Sequence, residues 1–372
     1  MTKRLILIGG GHSHAIAIKQ WGLNPLPDVD LTLISDVEQT PYSGMLPGHV
    51  AGFYSYKETH IDLRSLTQFA GARLIIDRAT GLDLDTNKII CQHHQLEFDY
   101  LSIDIGSTPK TITVPGAKEY AVPAKPVPIF LDAWYELKQM AASNPQKLSI
   151  VIVGGGAGGV ELALNMQAYF KTLASNKAKI KIHLIHRGKQ LLSNHNNWVA
   201  NELEKIVRQR KIELHLQQSV IEVLSDEVIC ESGLSIKCDR VFWVTQAAAP
   251  NWIKQSHLTT DGGFVLVKDT LQSVSHPHVF AAGDIATMSN YKRPKAGVFA
   301  VRQGQPLFNN WQYLLTDKPL QAYIPQDKYL SLIGTGDRKA IASWGSFGWR
   351  SRLFWWLKDY IDRKFMNQFI DL

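Results

Sequence analysis

The sequence predicts an α/β protein with two Rossmann-like dinucleotide-binding domains and a small C-terminal cap. Two observations carry that expectation. The stretch KRLILIGGGHSHA, residues 3–15, reads as an apolar strand, a glycine turn and a helix start, and LSIVIVGGGAGGVELA, residues 148–163, repeats the order. A second strand-like run follows each: DLTLIS at residues 30–35 and KIKIHLIHRG at residues 179–188. Two such units in one chain imply two dinucleotides, such as a flavin and a nicotinamide.

In the first unit Gly9 permits the tight turn, and Gly11 lets backbone approach a diphosphate. A helix starting near His12 would aim free N–H groups at the phosphates. His14 stands where the third glycine of GxGxxG is usual, so the helix must shift or face a roomier gap. Asp36 ends the next strand and can accept from a ribose 2′-hydroxyl; a solvated strand end is the alternative. The second unit completes GxGxxG with Gly154, Gly156 and Gly159. Its second strand ends at His186 and Arg187, with no acidic group to hold an adenosine 2′-hydroxyl. Arg187 and Lys189 there suit a 2′-phosphate, so NADPH is expected to serve at least as well as NADH.

The 372 residues allow two or three domains, and 45% hydrophobic with 20% charged residues is ordinary globular composition. No run of about 18 apolar residues is present, so no spanning helix is expected. A strand begins within four residues of the start, which leaves no room for a signal peptide. Three cysteines, Cys91, Cys230 and Cys238, form no CxxC, which points to a reducing, cytoplasmic compartment and to no metal framework. Forty basic against 33 acidic residues give +7, which suits anionic cofactors or an anionic membrane surface. No nucleic-acid-binding motif is recognisable, so no nucleic-acid partner is expected.

Four further stretches complete a resemblance to the two-dinucleotide-binding flavoproteins of the pyridine nucleotide-disulfide oxidoreductase superfamily. YLSIDIGSTP, residues 100–109 with Gly106, is similar to the strand and turn where the chain leaves the FAD domain. HPHVFAAGDIA, residues 276–286, resembles the second FAD motif, whose acid would be Asp284. QTPYSGMLPGHVAG, residues 39–52, lacks the CxxxxC pair of the disulfide reductases. It resembles instead the flavin-facing loop of type II NADH dehydrogenases, here Tyr42 to Leu46 with Met45 and Leu46 beside the cofactor. RPKAGVFAVRQGQPLFNN, residues 293–310, resembles their helix at the flavin and quinone site, with Ala296, Ala300 and Gln303; Lys295 and Arg302 depart from that pattern. The wording GGGHSHA, TPYSGMLPG, RPKAGVFAVRQG and LIGTGDRKAIASWG is most similar to the flavoprotein module fused ahead of selenophosphate synthase, and His14 is a feature of that subgroup.

The resemblance implies FAD and NAD(P)H as cofactors, hydride transfer to the flavin, and a small-molecule, quinone-like acceptor. It places Glu161 near the nicotinamide, although a glutamate in a first helical turn is also favoured by the helix dipole. Lys295 near the flavin pyrimidine edge would stabilise reduced, anionic flavin, an exposed lysine being the alternative, and Gln303 would lie at the flavin. His12 reads as a turn or capping residue. A soluble reductase linked to selenium metabolism and a non-enzymatic flavin redox sensor are the rival readings. The FAD domain is expected over 1–116 and 248–322, the NAD(P)H domain over 117–247, and the cap over 323–372. In the last stretch Leu353, Leu357, Ile361, Phe365 and Phe369 recur every four residues, and Trp356 and Tyr360 widen the stripe. Arg350, Arg352, Lys358, Arg363 and Lys364 flank it. That pattern fits a helix lying on an anionic membrane, peripheral on its cytoplasmic face, or packed on the body or a second subunit of a homodimer.

Overall fold

A computed structural model describes residues 2–109, 114–143, 147–173, 180–245, 247–370 and 372. The first apolar run forms β1 (Lys3–Ile8), which is buried from Leu5 onward, and the glycine turn leads into α1 (His12–Leu23). β2 (Val29–Ser35), β3 (Arg73–Ile76) and β4 (Tyr100–Ile103) follow. Between β3 and β4 an antiparallel three-stranded sheet covers Ala79–Asp83, Lys88–Cys91 and Gln95–Glu97. The chain leaves this body through Thr108–Pro109, which pairs with Ala247–Ala248 on its way back.

The excursion contains β5 (Ala121–Pro123), α2 (Val127–Ser143), β6 (Leu148–Val153), α3 (Ala157–Thr172), β7 (Ile180–His186), α4 (Asn197–Gln209), β8 (Glu213–Leu216) and β9 (Arg240–Trp243). The chain then returns with β10 (Val279–Ala281) and α5 (Gly297–Leu315). Both main sheets are five-stranded and parallel, in the orders β10-β4-β1-β2-β3 and β5-β9-β6-β7-β8. The repeated topology is the structural form of the sequence repeat. In each sheet the glycine turn leaves the central strand at its carboxyl end, where a parallel sheet opens its ligand crevice.

The last segment is a three-stranded antiparallel sheet, β11 (Ser331–Gly334), β12 (Ala340–Trp344) and β13 (Phe347–Ser351), followed by α6 (Arg352–Asn367). The expected stripe on α6 divides along its length. Phe365 and Phe369 are buried in the first body, whereas Leu353, Leu357 and Ile361 are exposed, as are Trp356 and Tyr360. The hairpin ahead of α6 adds exposed Trp344, Phe347 and Trp349. The expected basic flank is also altered. Arg350 lies in β13 and pairs with Asp337, Arg363 pairs with Glu58 and Asp359, and Lys358 turns inward. Arg363 thereby ties α6 to the body through Glu58 and Lys358 through the Gly44 carbonyl, whereas Asp359, Asp362 and Asp337 are partners within the C-terminal segment itself.

Candidate active site

The first turn needs glycine at position 9, where φ is +91° and an added Cβ would meet the Asp104 carbonyl oxygen at 2.4 Å. His14 fills the gap left by the missing third glycine. Its Nδ1 lies 2.6 Å from the Gly9 carbonyl and its Nε2 2.8 Å from the Ser102 hydroxyl. A carbonyl only accepts, so Nδ1 carries the proton and Nε2 accepts from Ser102. Burial pulls the His14 pKa down to about 4, which keeps the ring neutral. The side chain thus ties the turn to β4 and does not face the crevice. His12 is also kept neutral, with its pKa lowered to about 4 by burial and then by Lys125, and its ring meets the edges of Tyr42 and Phe365.

The second turn follows the glycine motif in full. Gly154 has φ +129°, and a Cβ at Gly159 would strike the Gly154 carbonyl oxygen at 1.9 Å, so α3 can pack this closely only with glycine there. Gly156 has open space where its Cβ would be. His186 is drawn into the turn: its Nδ1 accepts from the Gly155 N–H at 3.2 Å. It therefore holds the turn's shape, and Arg187 remains exposed at the end of β7 with no pairing among the described residues.

The third turn brings the chain's end back to the first. Gly283 has φ +68°, and its N–H donates to Gln303 Oε1 at 2.7 Å. Gln303 is thus a positioning residue for the Gly-Asp turn. Asp284 accepts from Lys125 Nζ at 2.7 Å and Ser107 Oγ at 3.0 Å. Burial would raise its pKa, but Lys125 and Ser107 outweigh that and hold it below the usual range. Lys295 donates to the Ala286 carbonyl at 2.5 Å and Thr287 Oγ1 at 3.0 Å, over the ring of Phe264. Burial lowers its pKa to about 8, against the pull of Asp284 and Asp261. A small cleft here is lined by Gly283, Asp284, Thr287, Lys295, Ala296 and Gln303. Gly106, with φ +66°, borders open space nearby, and a Cβ on Gly297, the first residue of α5 after Ala296, would lie 3.9 Å from Ser43 Oγ and 4.0 Å from His12 Nδ1. Asp36 sits at the rim, exposed, and accepts from Arg78 at 2.9 and 3.2 Å.

A polar network at the meeting of three elements was not legible in the sequence. Glu161, on α3, accepts the Gly334 N–H of β11 at 2.6 Å. Burial pushes its pKa up to about 7, against the neighbouring Lys358 ammonium. Lys358, on α6, donates to the Gly44 carbonyl and to Asp362 Oδ2, both at 2.7 Å. Burial opposes its charge, but Asp362 and Glu161 more than offset this and raise its pKa. The Tyr42 hydroxyl donates to Asp362 Oδ1 at 3.1 Å, and its ring stacks on Phe365 at 4.4 Å. Met45 is buried in the same loop and Leu46 is partly buried. The Lys358–Asp362 spacing of four was the available signal, but it reads as readily as an exposed helical pair.

The cysteines stand apart from this site. All three are free and buried, and Cys230 and Cys238 pack in the core of the excursion. On the β7–β8 edge, His183 Nδ1 lies 3.1 Å from His215 Nε2 and 3.3 Å from Glu213 Oε2, a trio able to approach a metal. Glu213 is already paired with Lys181 at 2.9 Å, and the trio's contacts satisfy one another without an ion.

Residues 3–304 match the family described as pyridine nucleotide-disulphide oxidoreductase. The chain belongs to that family. It is 24% identical over 370 residues to a probable NADH dehydrogenase of Dictyostelium discoideum, covering 91% of this chain and 80% of that one. It is 22% identical to the NADH dehydrogenase-like protein YutJ of Bacillus subtilis, covering 91% of each. The type II NADH:quinone oxidoreductase of Haemophilus influenzae is 28% identical over 212 residues, 52% of this chain and 46% of that one. Among solved structures, NDH2 from Plasmodium falciparum in complex with NADH superposes with a TM-score of 0.85 at 16% identity, covering 100% and 98% of the two chains. The sulfide:quinone oxidoreductase of Aquifex aeolicus gives 0.78 at 18% identity, covering 98% and 92%. Membership gives the two dinucleotides as FAD and NAD(P)H, and the residues fit them. Two glycine turns open toward helix N-termini, and a buried acid waits at the third turn.

Proposed function

We propose that the protein takes hydride from NAD(P)H onto FAD and passes the electrons to a quinone-like acceptor. The observation that carries this reading is the buried Glu161–Lys358–Asp362–Tyr42 network. It joins the excursion's glycine helix, the loop after β2 and the cap. FAD is assigned to the first and third turns, in the body formed by 1–116 and 248–322, because Asp104 touches both turns. NAD(P)H is assigned to the second turn, in 117–247.

FAD supplies the two-electron chemistry when bound. The chain's own residues supply position and protons. Gln303 and Gly283 fix the turn that presents Asp284 to the cofactor's polar chain. Lys295 offers positive charge beside Asp284. Quinone reduction consumes protons as well as electrons, and Glu161, with a pKa near 7, can hold or release one at neutral pH. Lys358 acts on Glu161 through its charge, and Lys358 and Tyr42 both donate to Asp362 beside the loop. Trp344, Trp349, Leu353, Trp356 and Tyr360 are all exposed on the surface of the cap. That surface suits docking to a bilayer as a peripheral protein, since no helix among the described residues is long and apolar enough to cross one.

The test is steady-state oxidation of NADH and NADPH with a short-chain quinone and, separately, ferricyanide. Ferricyanide takes electrons without protons. Glu161→Gln is expected to slow quinone turnover by about 10²-fold while leaving ferricyanide turnover within a few-fold. Equal losses with both acceptors, or a wild type that reduces soluble oxidants but no quinone, would refute the reading.

A further inference from the structure

Asp104 follows β4 and is 2% exposed. Its Oδ2 accepts the N–H groups of Ser13 at 2.9 Å and His14 at 3.1 Å. No backbone N–H of the described residues donates to its Oδ1, and the Ser13 hydroxyl, which donates to the Ala300 carbonyl at 2.8 Å, stands beside the carboxyl group. A Cβ added at Gly11 would lie 2.4 Å from either oxygen, and one at Gly283 would lie 2.4 Å from Oδ1. The carboxyl group therefore fills the gap between the first and third turns, with one oxygen anchored on α1 and the other aimed between the glycines. A diphosphate held at the α1 N-terminus and reaching toward Asp284 must pass this group. An ionised carboxylate would then face two phosphate charges in a site with little water.

We propose that Asp104 is protonated when FAD is bound and that its Oδ1 donates a hydrogen bond to the diphosphate, so that flavin uptake at alkaline pH consumes a proton. This rests on the assignment of FAD to the first turn. The surroundings agree. Burial raises the Asp104 pKa to about 7, the α1 N–H donors of His14 and Ser13 and the Ser13 hydroxyl oppose that, and Asp284 adds to it. The facing imidazoles of His12 and His14 are neutral, so they bring no positive charge. Lys125 is committed to Asp284. A dianionic ligand pushes the carboxyl pKa further upward. A carboxylate acting only as a helix cap would stay ionised and exchange no proton.

The experiment is calorimetric titration of FAD into apoprotein at pH 8, in two buffers of different ionisation enthalpy. The difference in heat counts protons. Asp104 is expected to contribute roughly 0.9 proton of uptake at pH 8 and far less at pH 6, where the apoprotein already carries it. The wild-type affinity should weaken toward tenfold per pH unit above about pH 7.5. Asp104→Asn keeps an acceptor for the α1 N–H groups and a donor on the other side. Lys295 lies in the same cleft, titrates near pH 8 and adds about half a proton in both proteins, so the contribution of Asp104 is the difference between them. Asp104→Asn should take up roughly 0.9 proton less than wild type and show a flatter profile. Uptake absent in wild type at pH 8, or unchanged in Asp104→Asn, would overturn the proposal. Should the asparagine variant not fold, wild-type uptake of no more than about half a proton at pH 8, the share of Lys295 alone, would overturn it as well. Apoprotein that binds no FAD at either pH would overturn the flavin assignment as well, whereas binding without proton exchange overturns this proposal alone.

Discussion

Lys358→Met removes a buried charge while keeping most of the side chain's volume. The ammonium donates to Gly44 and Asp362, and the side chains of Lys358 and Asp362 are only 15% and 6% exposed. The methionine variant leaves Asp362 with the Tyr42 hydroxyl as its donor and leaves Glu161 without its cationic neighbour. Removing one member of a buried pair costs about 3–5 kcal/mol. Of the other polar ties of α6 to the body, Arg363 to Glu58 is a part-exposed ion pair, and the hydroxyl of buried Tyr54 donates to Asp359. Both are already made in the wild type, so neither offsets the loss of the Lys358 ammonium. The cost falls on the opening of α6 from the body. Hydrogen exchange of the backbone amides of α6 reads that opening directly. They should exchange roughly 150- to 5,000-fold faster, since about 1.4 kcal/mol is a factor of ten. Lys358→Met with Asp362→Leu removes both charges, so its exchange should fall between the single variant and wild type. Exchange within threefold of wild type in the single variant would refute the claim that this ammonium holds the helix.

Other outcomes follow from the same geometry. Asp284→Ala should yield protein largely without flavin, measured as flavin absorbance per protein, with Lys125 left unpaired beside the empty position; full retention would show that the third turn does not hold FAD. Arg187→Ala should lower kcat/KM for NADPH about tenfold or more and spare NADH, since a charge-assisted bond contributes about 1.5–3 kcal/mol and Arg187 is exposed; an unchanged cofactor ratio would show that this side chain does not read the 2′-phosphate. The raised Glu161 pKa favours the folded state fully below about pH 4.5, and that advantage is lost as pH rises through about 7. Urea midpoints of wild-type apoprotein should therefore fall relative to Glu161→Gln across that window, by about 1.4 kcal/mol per unit of upward shift; a gap that closes with rising pH would reverse the sign. Trp356→Glu with Tyr360→Glu should abolish sedimentation with anionic liposomes; wild type that ignores such liposomes and sediments as a dimer would place a second subunit on that surface.

The two parallel sheets were written locally. Each apolar run of four to six residues makes a buried strand, and glycines at 9 and 154 permit the positive φ that turns the chain into a helix. Those signals lie within about fifteen residues, so the sequence by itself determined the repeat, the two nucleotide turns and the Gly-Asp turn at 283–284. Periodicity also marked α6 as amphipathic, but it could not say which neighbour its faces meet. Lys358 reaches Gly44 across 314 positions, Lys125 reaches Asp284 across 159, and Asp104 reaches Ser13 across 91. His14 finds Ser102 88 positions away, which explains a histidine where glycine is usual. A charged side chain is stable in the interior only against a specific partner, and chain topology alone delivers that partner. The same lysine on the same helix, paired only with Asp362 four residues on, would be a solvated flank if Gly44 and Glu161 were not brought to it, so its role was decided in three dimensions.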